Sequence, residues 1–230
     1  MGSNTVTSIK YNPVETNIIA VCSIDETLTV ANLDIKNIGK YGSRAPNAPV
    51  LDTSNVVPTK IKGWGNTLAW APSGKNLTVA VHNCTMIRFD FDASYNATKK
   101  TLTTLRNLPL SNLFYSDENT LVGSGFDKLP LVFKYEEGKW ALKGACEKQA
   151  GGFLIKIEYN NTGKLSRDND AKFMAKSRLV APEFASVHFS NIISMAPVKA
   201  AETGVFFTAD AKGNTLYFKL ADMKAVKPAA

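Results

Sequence analysis

The sequence is short of the residues that carry chemistry. It holds two histidines, His82 and His188, and three cysteines, Cys22, Cys84 and Cys146, in 230 residues. The cysteines are odd in number, lie far apart and include no pair at metal-ligand spacing. They read as small apolar packing residues, and no metal or cofactor is expected. His82 and Cys84 are near neighbours, but adjacent strand and turn positions do not aim such groups at each other. No Gly-rich oxyanion or phosphate loop accompanies them. Both histidines read as structural, and no enzyme activity is expected. No apolar run is long enough to cross a membrane, and no leading segment has the signal-peptide pattern. Met1-Gly2 opens as a myristoylation motif would, but Val6 stands where that motif needs Ser or Thr. With no secretory signal, the Asn-x-Ser/Thr sequons at Asn76, Asn83, Asn96 and Asn160 read as chance occurrences, and the expected compartment is the cytoplasm. The lysines form no dense run, and no nucleic-acid motif is present.

What the chain does have is core-forming material: hydrophobic residues are 44% and aromatics 10%. The formal net charge is +7. A solvated surface accounts for that charge, and so does an acidic partner.

The organising feature is a repeat. Its unit is strand, polar turn, strand, tight turn, strand. The copies are "TSIKYNPVETNIIAVCSIDETLTVANLD" (7–34), "NTLAWAPSGKNLTVAVHNCTMIRFDFD" (66–92), "SNLFYSDENTLVGSGFDKLPLVFKYE" (111–136) and a looser "NIISMAPVKAAETGVFFTADAKGNTLYFKL" (191–220). Ile87, Phe89 and Phe91 alternate with Arg88, Asp90 and Asp92, and Leu216, Phe218 and Leu220 alternate with Tyr217, Lys219 and Ala221. Period two over such a span predicts half-buried strands, with Asp90 and Asp92 on a solvent face. No long helix is evident in the repeats.

Asp25, Asn83 and Asp127 fall at one place, the turn between second and third strands. Short Asp and Asn side chains bond nearby main-chain amides and fix such turns. Pro130 follows near a strand start, where its missing N–H costs no ladder bond. The fourth copy has Lys212 at the turn and ends Phe218-Lys219, which reads as a degenerate unit. The step from Asn83 to Asp127 is 127 − 83 = 44 residues, close to the length of one four-stranded propeller blade. The Pro-, Ser- and Asn-rich "KYGSRAPNAPVLDTSNVVPTK" lengthens the step before it. A larger excess, residues 147–184, separates the third and fourth copies and reads as an inserted loop or short helix.

The run "TLTTLRNLPLSNLFYSDENTLVGSGFDKLPLVFKYEEGKWALKG" (101–144) resembles the penultimate-blade region of the WD-repeat subunit of the actin-related protein 2/3 complex. The residues that carry the resemblance are Leu108-Pro109-Leu110, Leu121-Val122, Gly125, Asp127, Pro130 and Phe133. "GW" at Gly63-Trp64 with "VAVHNCTMIRFDFD" is similar to the blade before it, and "SVHFSNIISM" (186–195) to the family's re-entry segment. The resemblance implies an all-β WD-repeat β-propeller, one domain over 1–230. It also implies about four to five blades of a seven-bladed family, with N-terminal blades missing. It implies a non-catalytic structural subunit on the actin cytoskeleton that supports filament nucleation and branching. Its partners would be the other subunits of that complex and the actin filament, with no nucleic acid and no membrane insertion. By position, the family's partner-binding insertion corresponds to Lys164, Arg167, Lys172, Phe173, Met174 and Lys176, with Phe173 and Met174 as the apolar anchors of a docking helix. A solvated loop is the other reading of that stretch. The alternatives left open are a WD-repeat scaffold for other proteins and a basic β protein that binds nucleic acid.

Overall fold

The computed structural model of the chain describes residues 5–32, 59–146, 187–198 and 204–225. These residues form four antiparallel sheets in chain order. The first holds β1 (Val6–Tyr11), β2 (Ile18–Ser23), β3 (Thr27–Asn32) and β4 (Thr59–Lys60). The second holds β5 (Gly65–Trp70), β6 (Asn76–Val81), β7 (Thr85–Phe91) and β8 (Ala97–Thr104). The third holds β9 (Leu110–Asp117), β10 (Thr120–Gly125), β11 (Leu131–Glu136) and β12 (Lys139–Ala145). The fourth holds β13 (Ile192–Pro197), β14 (Val205–Asp210) and β15 (Thr215–Lys219). Each sheet is a meander, and together they make a four-blade propeller arrangement. Helical geometry among the described residues is one 3-10 turn, Leu220–Asp222. It turns the chain back so that β16 (Lys224–Ala225) adds to the outer edge of β12.

The cores lie between sheets. Ile18, Ala20, Cys22 and Leu28 meet Leu68, Leu77, Val79 and Phe89 between the first and second. Met86 and Ala69 meet Leu110, Leu121, Phe133 and Trp140 between the second and third. Val122 and Val132 meet Phe206, Leu216 and Phe218 between the third and fourth. The second strands β2 and β10 are buried at every residue, because a neighbouring sheet or the adjoining chain covers both of their faces. Contacts between first strands run from β1 to β5, β5 to β9 and β9 to β13, and among the described residues none of that extent links the fourth sheet to the first.

This layering corrects one expectation. Of the pair expected on a solvent face, Asp92 is exposed, but Asp90 is half-buried beside Arg88. Arg88 is buried, its guanidinium lies 4.0 Å from the centroid of the Tyr135 ring in the next sheet, and its Nε donates to Asp90 at 3.1 Å. Strand alternation here separates one sheet interface from the next, not core from water.

Candidate functional site

All four first strands carry a β-bulge one residue in from their start. Register skips Thr7, Asn66, Ser111 and Ile193. In the first three sheets the skipped residue reaches the next sheet. Thr7 Oγ1 donates to the Gly65 carbonyl, Asn66 Nδ2 to that of Leu110 at 3.2 Å, and Ser111 Oγ to that of Ile192 at 2.9 Å. Each acceptor is the residue just before the next bulge. The series ends at Ile193, which has no donor and is exposed. These bonds hold the starts of β1, β5, β9 and β13 level. The turns that follow β2, β6, β10 and β14, antiparallel to them, therefore emerge at the same end of the molecule.

A second set of links joins the sheets at the opposite end. Buried Asn12 donates to the Gly74 carbonyl at 2.8 Å while its Oδ1 accepts from the amides of Val14 and Glu15. Glu118 accepts from the Ser73 amide at 2.6 Å and from its hydroxyl at 2.9 Å.

At the levelled end the three turn residues do different work. Asp25 accepts from the hydroxyls of Ser23 and Thr27 and from the Thr27 amide, and the two side-chain bonds hold its carboxyl below the usual range. Asn83 donates to the Lys62 carbonyl at 2.9 Å, tying its turn to the loop entering the sheet. Asp127 accepts from the Leu108 amide at 2.9 Å and ties the corresponding loop of the third sheet. The residue after each, Glu26, Cys84 and Lys128, has φ of 63, 62 and 62°, so each turn needs one left-handed residue after its Asp or Asn.

The fourth unit is reduced in having three strands among the described residues, but its turn keeps a carboxylate. Gly213 is its left-handed residue and Lys212 occupies the Asp position, but Asp210 replaces the missing carboxylate from two residues earlier. Its Oδ1 accepts from the amides of Lys212 at 2.9 Å and Asn214 at 3.0 Å. Oδ2 meets His188 Nδ1 at 3.2 Å, and His188 Nε2 meets Thr208 Oγ1 at 2.6 Å. Burial lowers the His188 pKa, and Asp210 offsets this only in part. The ring is therefore neutral at pH 7, donating from Nδ1 to Asp210 and accepting the Thr208 hydroxyl at Nε2. Burial pushes the Asp210 carboxyl up, but bonds from Asn214, His188 and Lys212 outweigh it and keep the group ionised. The arrangement resembles a hydrolytic triad in its residue types only. Thr208, His188 and Asp210 are all buried, so substrate has no path to the hydroxyl.

His82 lies apart from this group. It is exposed, and its ring stacks on Trp64 with centroids 5.2 Å apart. Burial pushes all three thiols up, Cys146 to about 12, which removes thiolate reactivity there. Lys164, Arg167, Lys172, Phe173, Met174 and Lys176 lie outside the described residues. Sequence reasoning passed over Thr7, Asn66, Ser111 and Asp210 as functional positions. The signal for the first three was that each stands first in its copy of the repeat.

No family model matches the chain. The chain is similar to actin-related protein 2/3 complex subunit 1B of Arabidopsis thaliana, 25% identical over 206 residues, covering 85% of this chain and 52% of the relative. It is 24% identical over 238 residues to subunit 1A of the same plant, covering 96% of this chain and 60% of the relative. To subunit 1A-B of Xenopus laevis it is 28% identical over 140 residues, 58% of this chain and 36% of the relative. The chain thus spans about half the length of the curated relatives it matches along most of its own length.

Proposed function

We propose that the chain is a non-catalytic structural subunit of an actin-related protein 2/3 complex, working in the cytoplasmic actin cytoskeleton. The observation that carries this reading is its similarity, along 85–96% of its length, to proteins named as subunit 1 of that complex. The blade series supports it, because serially packed sheets offer wide surfaces for neighbouring subunits and little that could turn over a substrate. In this reading residues 1–230 act as one propeller body. The segment around Lys164, Arg167, Lys172, Phe173, Met174 and Lys176 contacts actin or a partner, with Phe173 and Met174 as its anchors.

Affinity capture of the tagged chain from its native extract, followed by mass spectrometry, tests the assignment. Co-purification of actin-related proteins and the small scaffolding subunits in near-equal amounts supports it. Their absence, with other proteins captured instead, would make the chain a WD-repeat scaffold of a different assembly. Phe173→Ala with Met174→Ala should weaken binding to filament branches without unfolding the domain, and unchanged binding would rule out the segment.

A further inference from the structure

The levelled end of the sheets has a character the proposed function does not use. Each sheet places at least one large apolar side chain there, exposed to water: Ile24 in the first, Trp64 entering the second, Phe126 in the third and Phe189 entering the fourth, at 38, 51, 37 and 46% exposure. Basic residues stand among them: Lys60, Lys62, Arg106 and Lys128. Three lysine amines at or beside this end are held by main-chain carbonyls: Lys60 on Asp25, Lys100 on Lys60 and Lys128 on Phe189. A carbonyl orients an ammonium but does not cancel its charge. The levelled end also carries Asp25 and Glu26 in its first turn, with Asp127 and Asp210 buried beneath it, so its exposed basic groups, Lys212 included, outnumber its exposed acids. The opposite end is the more acidic, with Glu15, Asp92, Asp117, Glu118, Glu136 and Glu137 in its turns against Lys75 and Lys139.

We propose that this end is a peripheral docking face for an anionic phospholipid bilayer. The bulge bonds carry the argument, since they hold the four loop ends at one level. A peptide needs a groove, whereas a plane engages four coplanar tips at once. Trp and Phe favour the headgroup region, where a ring can be half-immersed. Lysine and arginine beside them gain from the negative surface potential, while the acidic end faces away. The contact is adsorption of side chains into the interface, with no segment crossing the membrane.

The test is co-sedimentation of the full chain with vesicles of phosphatidylcholine, with and without phosphatidylserine. Binding is expected only with phosphatidylserine, weakening as salt rises. Lys62→Gln and Arg106→Gln should each lower the partition coefficient about fivefold, and Glu137→Ala at the far end should leave it unchanged. Trp70 and Trp140 are buried, so brominated lipid should quench Trp64 selectively. Trp64→Phe should still bind but lose that quenching. Failure of the unmodified chain to bind, binding without Trp64 quenching, or binding indifferent to Lys62 and Arg106 would each overturn the proposal. So would capture by poly-glutamate with no vesicle binding, which would assign the face to an acidic protein. None of these results bears on which proteins co-purify with the chain, so this proposal and the subunit assignment fail separately.

Discussion

Removing the Phe206 ring should release the fourth sheet and leave the other three standing. Phe206 is fully buried, with ring centroids 5.3 Å from Phe114 in the third sheet and 5.5 Å from Phe218 in its own. Truncation to alanine forfeits about 2–3 kcal/mol of transfer free energy. The unfilled space raises the total to about 3–5 kcal/mol. The fourth sheet cannot absorb such a loss. Among the described residues it has three strands against four or five in the others, its one described sheet interface contains Phe206, and Phe207 and Ile193 already face water. In a serial array the cost stays where it is imposed. Amide hydrogen exchange read by mass spectrometry should show β13, β14 and β15 losing about two to four decades of protection, with β5 to β8 little changed. The reciprocal Leu68→Ala, between the first and second sheets, should spare the fourth. Equal loss in all four sheets from Phe206→Ala would refute serial independence. A loss below about tenfold would refute the packing estimate.

Acid should weaken the same sheet. The folded His188 pKa lies below its unfolded value, so the buried neutral ring contributes stability above the unfolded pKa, and that stability is lost as pH falls from about 6.5 toward the folded value. The urea midpoint should fall between about pH 7 and pH 5, and His188→Gln should flatten that slope; an unchanged slope would show that another group titrates. Asn12→Ala strands the amides of Val14 and Glu15 and removes the bond to Gly74, at a cost of about 1–3 kcal/mol by chemical denaturation. Gly144→Ala would drive a Cβ into the Lys224 carbonyl, so β16 should detach and its residues become the first site of limited proteolysis, with β11 and β12 still paired.

The blades were legible because strands with alternating apolar residues and Asp or Asn turns recur at regular distances. Their lateral packing was less so. Asp90, expected on a solvent face with Asp92, shares its strand face with buried Arg88, because alternation reports which of two faces a residue shares, not whether water covers the second face. Lys212 reads as a lost turn residue when the copies are aligned position by position. Hydrogen bonding asks only that a carboxylate reach two amides, and Asp210 does so from the strand end. β16 is two residues in a lysine-bearing tail and carries no pattern of its own. The links Asn12 to Gly74 and Ser73 to Glu118 join residues 62 and 45 positions apart, with nothing local to announce them.

The bonds between bulges have a consequence for how such a chain can change over generations. In each, a side chain on one sheet donates to a main-chain carbonyl on the next. A carbonyl is supplied by every amino acid, so the bond does not dictate the receiving side chain, which packing sets instead: Gly65 abuts Cys22, while Leu110 and Ile192 are buried. The donating position needs only a short group with a hydrogen to give, and Thr, Asn and Ser all serve. An interface specified on one side, and loosely there, survives long divergence. Divergence that spares a short donor at the bulge therefore leaves the bond between neighbouring sheets in place.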